Sequence, residues 1–180
     1  MVDDSILNKL NKIQVSLSET EVLDRLLDRR RWPKNYIDDQ PSVEAIKEDG
    51  TKHQDFFDDD YYLNSAQAIN CYEDGYSLIL SNIGGFNHST FLVQEVLNDH
   101  FQRRINCNFY FGNGKKSVSF EKHQHDYPVI VKNIYGTSKW IIDNKEVILG
   151  NQDVIWFDKN TDHQVIEISE PKLSMTCNIA

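Results

Sequence analysis

His123-Gln124-His125, and Asp153-Val154-Ile155-Trp156-Phe157-Asp158-Lys159-Asn160-Thr161-Asp162-His163-Gln164 further on, are the two stretches on which the reading of this chain turns. Both lie among short segments rich in β-branched and aromatic residues, and His163 falls thirty-eight residues after His125, in the connection between two expected strands. Side chains alternate faces along a strand, so His123 and His125 point the same way, and an imidazole from a neighbouring strand end completes a triangle of ligands. Three neutral nitrogens with open positions opposite suit a redox-capable ion such as Fe(II) better than a closed structural zinc. The other histidines, His53, His88 and His100, have no such pattern around them and read as ordinary polar residues.

Outward from these stretches, the second half of the chain is dense in strand signals. Strands are expected over 105–111, 117–120, 127–135, 139–143, 145–149, 154–157, 164–168 and 173–178, with Asp143-Asn144 as a tight hairpin turn. Short strands in quick succession with no helix between them predict a jelly-roll barrel, the double-stranded β-helix. The first hundred residues are mainly helical in pattern. Ser18 and Glu21 form a capping box ahead of a helix that runs over 19–31 and ends at Trp32-Pro33. Ser42 caps a short helix that stops at Gly50, Ser65 caps one over 66–74, 76–80 is a strand, and 89–103 an amphipathic helix. The expected fold is mainly β with α: a barrel core over 105–180 and an N-terminal helical extension, 1–104, packed on it.

With 180 residues, 39% of them hydrophobic, the chain can bury a core of its own. Its formal net charge of -9 argues against nucleic acid as a partner, because Arg29, Arg30, Arg31 and Lys34 alone supply little basic surface, and that run suits the end of a helix. The start, MVDDSILNKL, lacks the basic and apolar segments of a signal peptide, and no stretch approaches the roughly eighteen apolar residues of a membrane span. A cytoplasmic location with no membrane partner is therefore expected. Cys71, Cys107 and Cys177 are odd in number and scattered, as for reduced thiols. The acidic run Asp55, Asp58, Asp59 and Asp60 reads as a surface loop pinned by Phe56, Phe57, Tyr61 and Tyr62.

The two histidine stretches also resemble the paired signatures of the cupins. After His123-x-His125 the usual glutamate position holds Val129 and the closing glycine is Gly136; in the second signature Gln152, Asp158 and Asn160 stand where Gly, Pro and Gly are usual, and His163 is the histidine. A longer resemblance covers roughly residues 60–168, through 68–80, Asn108-Phe109-Tyr110, 120–123, 136–140 and 153–164: the chain resembles the JmjC-type cupin hydroxylases, nearest the bacterial ribosomal-oxygenase branch. That resemblance implies an Fe(II) and 2-oxoglutarate dependent oxygenase that hydroxylates an amino-acid side chain on a protein. The chain departs from the family at two positions. His125 stands where His-x-Asp has its aspartate, with Asp126 next door as an alternative ligand that strand alternation points to the opposite face. Ser138 stands at the 2-oxoglutarate lysine position, with Lys139 one place on, and Lys132 and Asn108 are further candidates for the cosubstrate.

The expectation for the site is thus a metal held by His123, His125 and His163, a cofactor contact from Asn108 and Lys139, and no catalytic residue beyond the metal ligands. Asp126 and Gln164 are candidates to orient the imidazoles. The function expected is a mononuclear non-haem iron oxygenase acting on a small molecule or a protein side chain, with 2-oxoglutarate as an optional cosubstrate. The alternatives are a three-histidine cupin dioxygenase that does not use 2-oxoglutarate, resembling those that act on thiols, and a non-catalytic metal-binding cupin accessory protein. Nothing in the sequence speaks to oligomeric state.

Overall fold

The computed structural model describes residues 2–35, 41–114, 117, 120–169 and 171–180. Four helices, Asp4–Lys12 (α1), Glu19–Leu26 (α2), Ser65–Glu73 (α3) and His88–Phe101 (α4), pack on a mixed α/β body with two sheets. The strands are Val43–Ile46 (β1), Lys52–His53 (β2), Ser77–Leu80 (β3), Asn106–Gly112 (β4), Val129–Tyr135 (β5), Ser138–Ile142 (β6), Lys145–Leu149 (β7), Val154–Phe157 (β8), His163–Ile168 (β9) and Lys172–Asn178 (β10). The larger sheet has the order β2-β1-β3-β4-β10-β5-β8 and the smaller the order β7-β6-β9.

The expected jelly-roll barrel is not formed. Both sheets are open, with β2 and β8 as the edges of one and β7 and β9 as those of the other. Closure fails where residues 120–128 cross between the sheets: Phe120 has φ 68, and Pro128 has no N–H to give a ladder. Instead of a strand, that segment makes one isolated antiparallel bridge, His123 to His163. The first hundred residues also add β1, β2 and β3 to the larger sheet, which extends its open edge. No helix forms between Ser42 and Gly50: Val43 and Ala45 are buried, β1 pairs with β3 through Val43↔Leu80 and Ala45↔Leu78, and Gly50 takes φ 78 in the turn to β2. Long-range pairing outweighs the weak helix signal there.

Other local expectations hold with small shifts. Ser18 and Glu21 make the capping box of α2, but the helix ends at Leu26 and Arg29–Arg31 form a separate 3-10 turn. There Arg29 reaches the acidic loop, at 2.7 Å from Asp58 and 3.3 Å from Asp60. Asn64, not Ser65, caps α3, because its side chain accepts the Gln67 N–H. Of the strand expected over 117–120, residues 118 and 119 lie outside the described residues, and Phe120 is in coil. Among the described residues no helix is long and apolar enough to cross a membrane.

Alternation along the central strands divides the interior in two. Cys107, Phe109 and Phe111 of β4 and Leu173, Met175 and Cys177 of β10 face the helices, where Tyr72 stacks on Phe111 at 4.2 Å. Val129 and Val131 of β5 face the other way, into a smaller core with Trp140, Leu149 and Phe157 between the sheets. Strand β5 is buried on both faces, which is why it reads as a nearly unbroken apolar run. Two polar residues interrupt it: Asn133 donates to the carbonyls of Gly136 and Gly150, and Lys132 points toward α1 and donates to the carbonyls of Leu10 and Gln152 at 3.2 and 3.1 Å. The Leu10 carbonyl, in the last turn of α1, accepts from the Ile13 N–H as well, and the ammonium adds a cation at the negative end of the helix.

Gln152 and Asn160, the residues standing at glycine positions, both take positive φ, 67 and 60 respectively. Gln152 offsets the strain: its side chain bonds the N–H and carbonyl of Val15 and the carbonyl of Ile134, at 3.0, 3.0 and 2.8 Å. Replacing Gln152 with glycine relieves the backbone but removes three partly buried hydrogen bonds, so Gln152→Gly is expected to lower stability by about 2 kcal/mol in urea unfolding. Asn160→Gly, with no such side-chain bonds to lose among the described residues, is expected to stay within about 0.5 kcal/mol of the parent.

Candidate metal centre

The centre is built on the bridge that interrupts the gap between the sheets. His123 and His163 exchange both backbone hydrogen bonds, at 3.1 and 3.0 Å, so they stand directly opposite each other and project to the same side. His125, two residues on, returns to that face. Ring centroids are 4.3 Å apart for His123 and His163, and 5.0 Å apart for His125 with each of the others. One ring nitrogen from each lies within 4.8 Å of the other two, and this is the one such group of potential metal ligands among the described residues.

Backbone carbonyls orient the rings. Nδ1 of His123 lies 2.9 Å from the Glu121 carbonyl, and Nδ1 of His163 lies 2.9 Å from the Thr161 carbonyl. A carbonyl only accepts, so in both rings Nδ1 carries the proton and Nε2 keeps its lone pair for a metal. Asp126 and Gln164, expected in this orienting role, make no hydrogen bond to the imidazoles among the described residues, and Asp126 is exposed and outside the cluster. The missed signal is the i−2 carbonyl, which every residue possesses and no sequence motif marks.

The outer side of the bridge is clamped. Lys122 and Gln124, flanking His123, both reach Asp162, at 2.7 Å each, and the amide of Asp162 donates to Asp143 of the β6–β7 turn at 3.2 Å. In that turn Asp143 and Asn144 take φ 47 and 64, the left-handed pair of a tight hairpin. On the inner side Phe157 packs against His163 at 4.2 Å, and Tyr127 stacks on His125 at 5.0 Å.

Burial holds His163 down at about 4, with His123 and His125 pushing the same way and the Thr161 carbonyl and Asp162 opposing. His125 is lowered for the same first reason, burial, helped by His123 and opposed by Asp126. Both rings are thus neutral near pH 7, the form that binds metals.

The imidazoles line one end of a cavity of about 620 Å³, counted out to its open mouth, whose walls include Val129, Val131, Trp140 and Phe157. Neither expected cofactor residue lies on it. Lys139 points off the smaller sheet to Glu146, 2.9 Å away, and Asn108 accepts the Asn82 N–H at 3.2 Å. Ser138 is buried and accepts from the Trp140 indole at 2.9 Å, while Lys132 is occupied at α1. Lys172, which the sequence reading passed over, lines the cavity from β10.

No protein-family model matches the chain, and no curated protein matches it. Among solved structures it is similar to KdgF from a Halomonas species, with 14% identity over 42% of this chain and 69% of that one, TM-score 0.38. A cupin-2 domain protein from Shewanella frigidimarina gives 16% identity over 41% and 68%, TM-score 0.35. The DMSP lyase DddQ from Ruegeria pomeroyi gives 13% over 41% and 37%, TM-score 0.37, so this chain spans well under half of that protein. These likenesses are distant, and the reading of the centre rests on its own geometry.

Two outcomes follow for the metal-free protein. Because the unfolded chain takes up a proton near 6.5 and the folded His163 only near 4, stability is intact above about pH 6.5 and is lost as pH falls toward 4. Urea unfolding at pH 7, 5.5 and 4.5 should show a loss on the order of 2 kcal/mol from this ring, and His163→Leu should flatten that limb.

Proposed function

We propose that His123, His125 and His163 hold one divalent metal ion through their Nε2 atoms, and that the protein is a cupin-like metal enzyme whose small substrate binds the ion directly. The single observation that carries this reading is the pair of Nδ1–H bonds to the Glu121 and Thr161 carbonyls, which leave Nε2 as the free nitrogen in two of three clustered rings. A core kept for packing alone has no need to fix that tautomer in two rings or to gather three ring nitrogens within 4.8 Å of one another.

When bound, the ion supplies Lewis acidity and, for iron, a site for O2 chemistry. The chain supplies the rest. Three imidazoles on one side leave the remaining positions open to the cavity. The valines, Trp140 and Phe157 exclude water from that side, and the Lys122–Asp162 clamp keeps the two backbone segments in register. Hydroxylation with 2-oxoglutarate is the narrower form of the reading. Ser138 and Lys139 offer no cation at the family's cosubstrate position, so the three-histidine dioxygenase without that cosubstrate is favoured over it.

Titrating the apo protein with Co(II), Ni(II), Zn(II) and anaerobic Fe(II) is expected to give one ion per chain. His163→Ala should weaken it by on the order of 100-fold or more, beyond the 10–100-fold typical of lost orienting groups. The iron form should consume O2 with a substrate present and without added 2-oxoglutarate. A protein that takes up none of the four ions contradicts the metal reading; one that binds iron yet consumes O2 only with 2-oxoglutarate restores the hydroxylase form.

A further inference from the structure

The three imidazoles are not held alike. Nδ1 of His123 and Nδ1 of His163 each lie 2.9 Å from the carbonyl two residues upstream, whereas the His125 ring makes no hydrogen bond among the described residues. The torsion at stake is χ2. In histidine it is an sp³–sp² rotation with broad, roughly two-fold preferences, so the side chain does not fix its own ring plane. A ring that turns freely presents its lone pair to a metal only part of the time, and affinity falls by that fraction.

Tyr127 stands where the missing hydrogen bond would act. Its ring lies on the His125 ring with centroids 5.0 Å apart and 10° between the planes. His123 and His163, the other rings against His125, meet it at 82° and 42°. Turning His125 about χ2 would drive an edge of the imidazole into the face of the phenol. The parallel contact therefore blocks the rotation that carbonyls block in the other two rings, and offset stacking at this separation is itself attractive.

The phenol backs the ligand and does not face the substrate space. His125 lines the cavity and Tyr127 does not, although Tyr127 packs on the small core that includes Val129 and Phe157. Its hydroxyl makes no hydrogen bond among the described residues, so the ring face alone makes the contact. The backbone on both sides is pinned: the His125 carbonyl accepts from the Asn160 N–H at 2.6 Å, and the Pro128 carbonyl accepts from the Ile179 N–H at 2.9 Å. Pro128 also restricts Tyr127, the residue before it, to extended backbone. Both rings are thus carried on anchored chain.

We propose that Tyr127 is the positioning residue of the third metal ligand: ring stacking fixes the plane of His125 and presets it to close on an ion held by His123 and His163. The proposal rests on the metal reading above and deepens it, because it gives the third ligand a different means of support from the first two.

The test titrates Co(II) into the full apo chain and follows both affinity and the visible absorption of the bound ion. Tyr127→Phe keeps the ring face and should stay within about threefold of the parent, with the same spectrum. Tyr127→Leu keeps an apolar contact but loses the stack. It should bind on the order of 10–100-fold more weakly, as for other lost orienting groups, with a spectrum displaced toward that of His125→Ala. When Tyr127→Leu is combined with His125→Ala, the two losses should not add, because the stack acts only through His125. General damage to the core would instead weaken the double variant further.

A Tyr127→Leu protein equal to the parent in affinity and spectrum, or losses that add in the double variant, overturns the positioning role and leaves the metal reading standing. A parent protein that binds no Co(II) overturns the metal reading and the positioning role with it. If Tyr127→Leu does not fold, the contact is read by NMR in the metal-free parent, where the carbon-bound ring protons of His125 should be shifted upfield by the phenol ring and stay so in Tyr127→Phe. Unshifted resonances overturn the proposal.

Discussion

The functional reading depends on one backbone constraint, the antiparallel bridge between His123 and His163. Two reciprocal hydrogen bonds force these residues to stand opposite each other, and strand alternation then brings His125 to the same side. The carbonyls two residues upstream, Glu121 and Thr161, each take an Nδ1 proton and leave Nε2 free. Without the bridge the segment that carries His123 and His125 has no ladder to hold it against His163, which β6 already pairs through Ile142.

This arrangement is held against its own cost. Three imidazoles and a lysine lie in space lined largely by Val129, Val131, Trp140 and Phe157, and burial disfavours the charged forms of His163 and Lys172. The surroundings compensate elsewhere: Phe109, Phe111, Leu173 and Met175 build the larger core on the opposite face of the same sheet. Natural proteins concentrate such violations of good packing at working sites. Here they fall on one face of the larger sheet and in the cavity between the two.

Much of this was legible in the sequence, for reasons that can be named. Spacing gave the three histidines because alternation is a local property, and the hairpin at Asp143-Asn144 followed from residues that tolerate positive φ. The strands from β5 to β10 stood out as short apolar runs between turn signals. The barrel did not follow, because closure depends on hydrogen bonding between distant edges, and Phe120 and Pro128 break the strand that would supply it. The 43–46 segment was misread as helix because its pairing with β3 is non-local. Lys172 was overlooked although it carries a readable mark: Lys172, Ser174 and Thr176 alternate with Leu173, Met175 and Cys177, a polar face on a central strand.

X-ray absorption at the metal edge of the Co(II)-loaded protein tests the central claim most directly, since scattering from imidazole rings counts them. The account predicts three histidine nitrogens at about 2.0–2.1 Å around a single ion, falling to two in His125→Ala. A spectrum with fewer than three imidazoles in the parent protein, or one unchanged by that substitution, would contradict it.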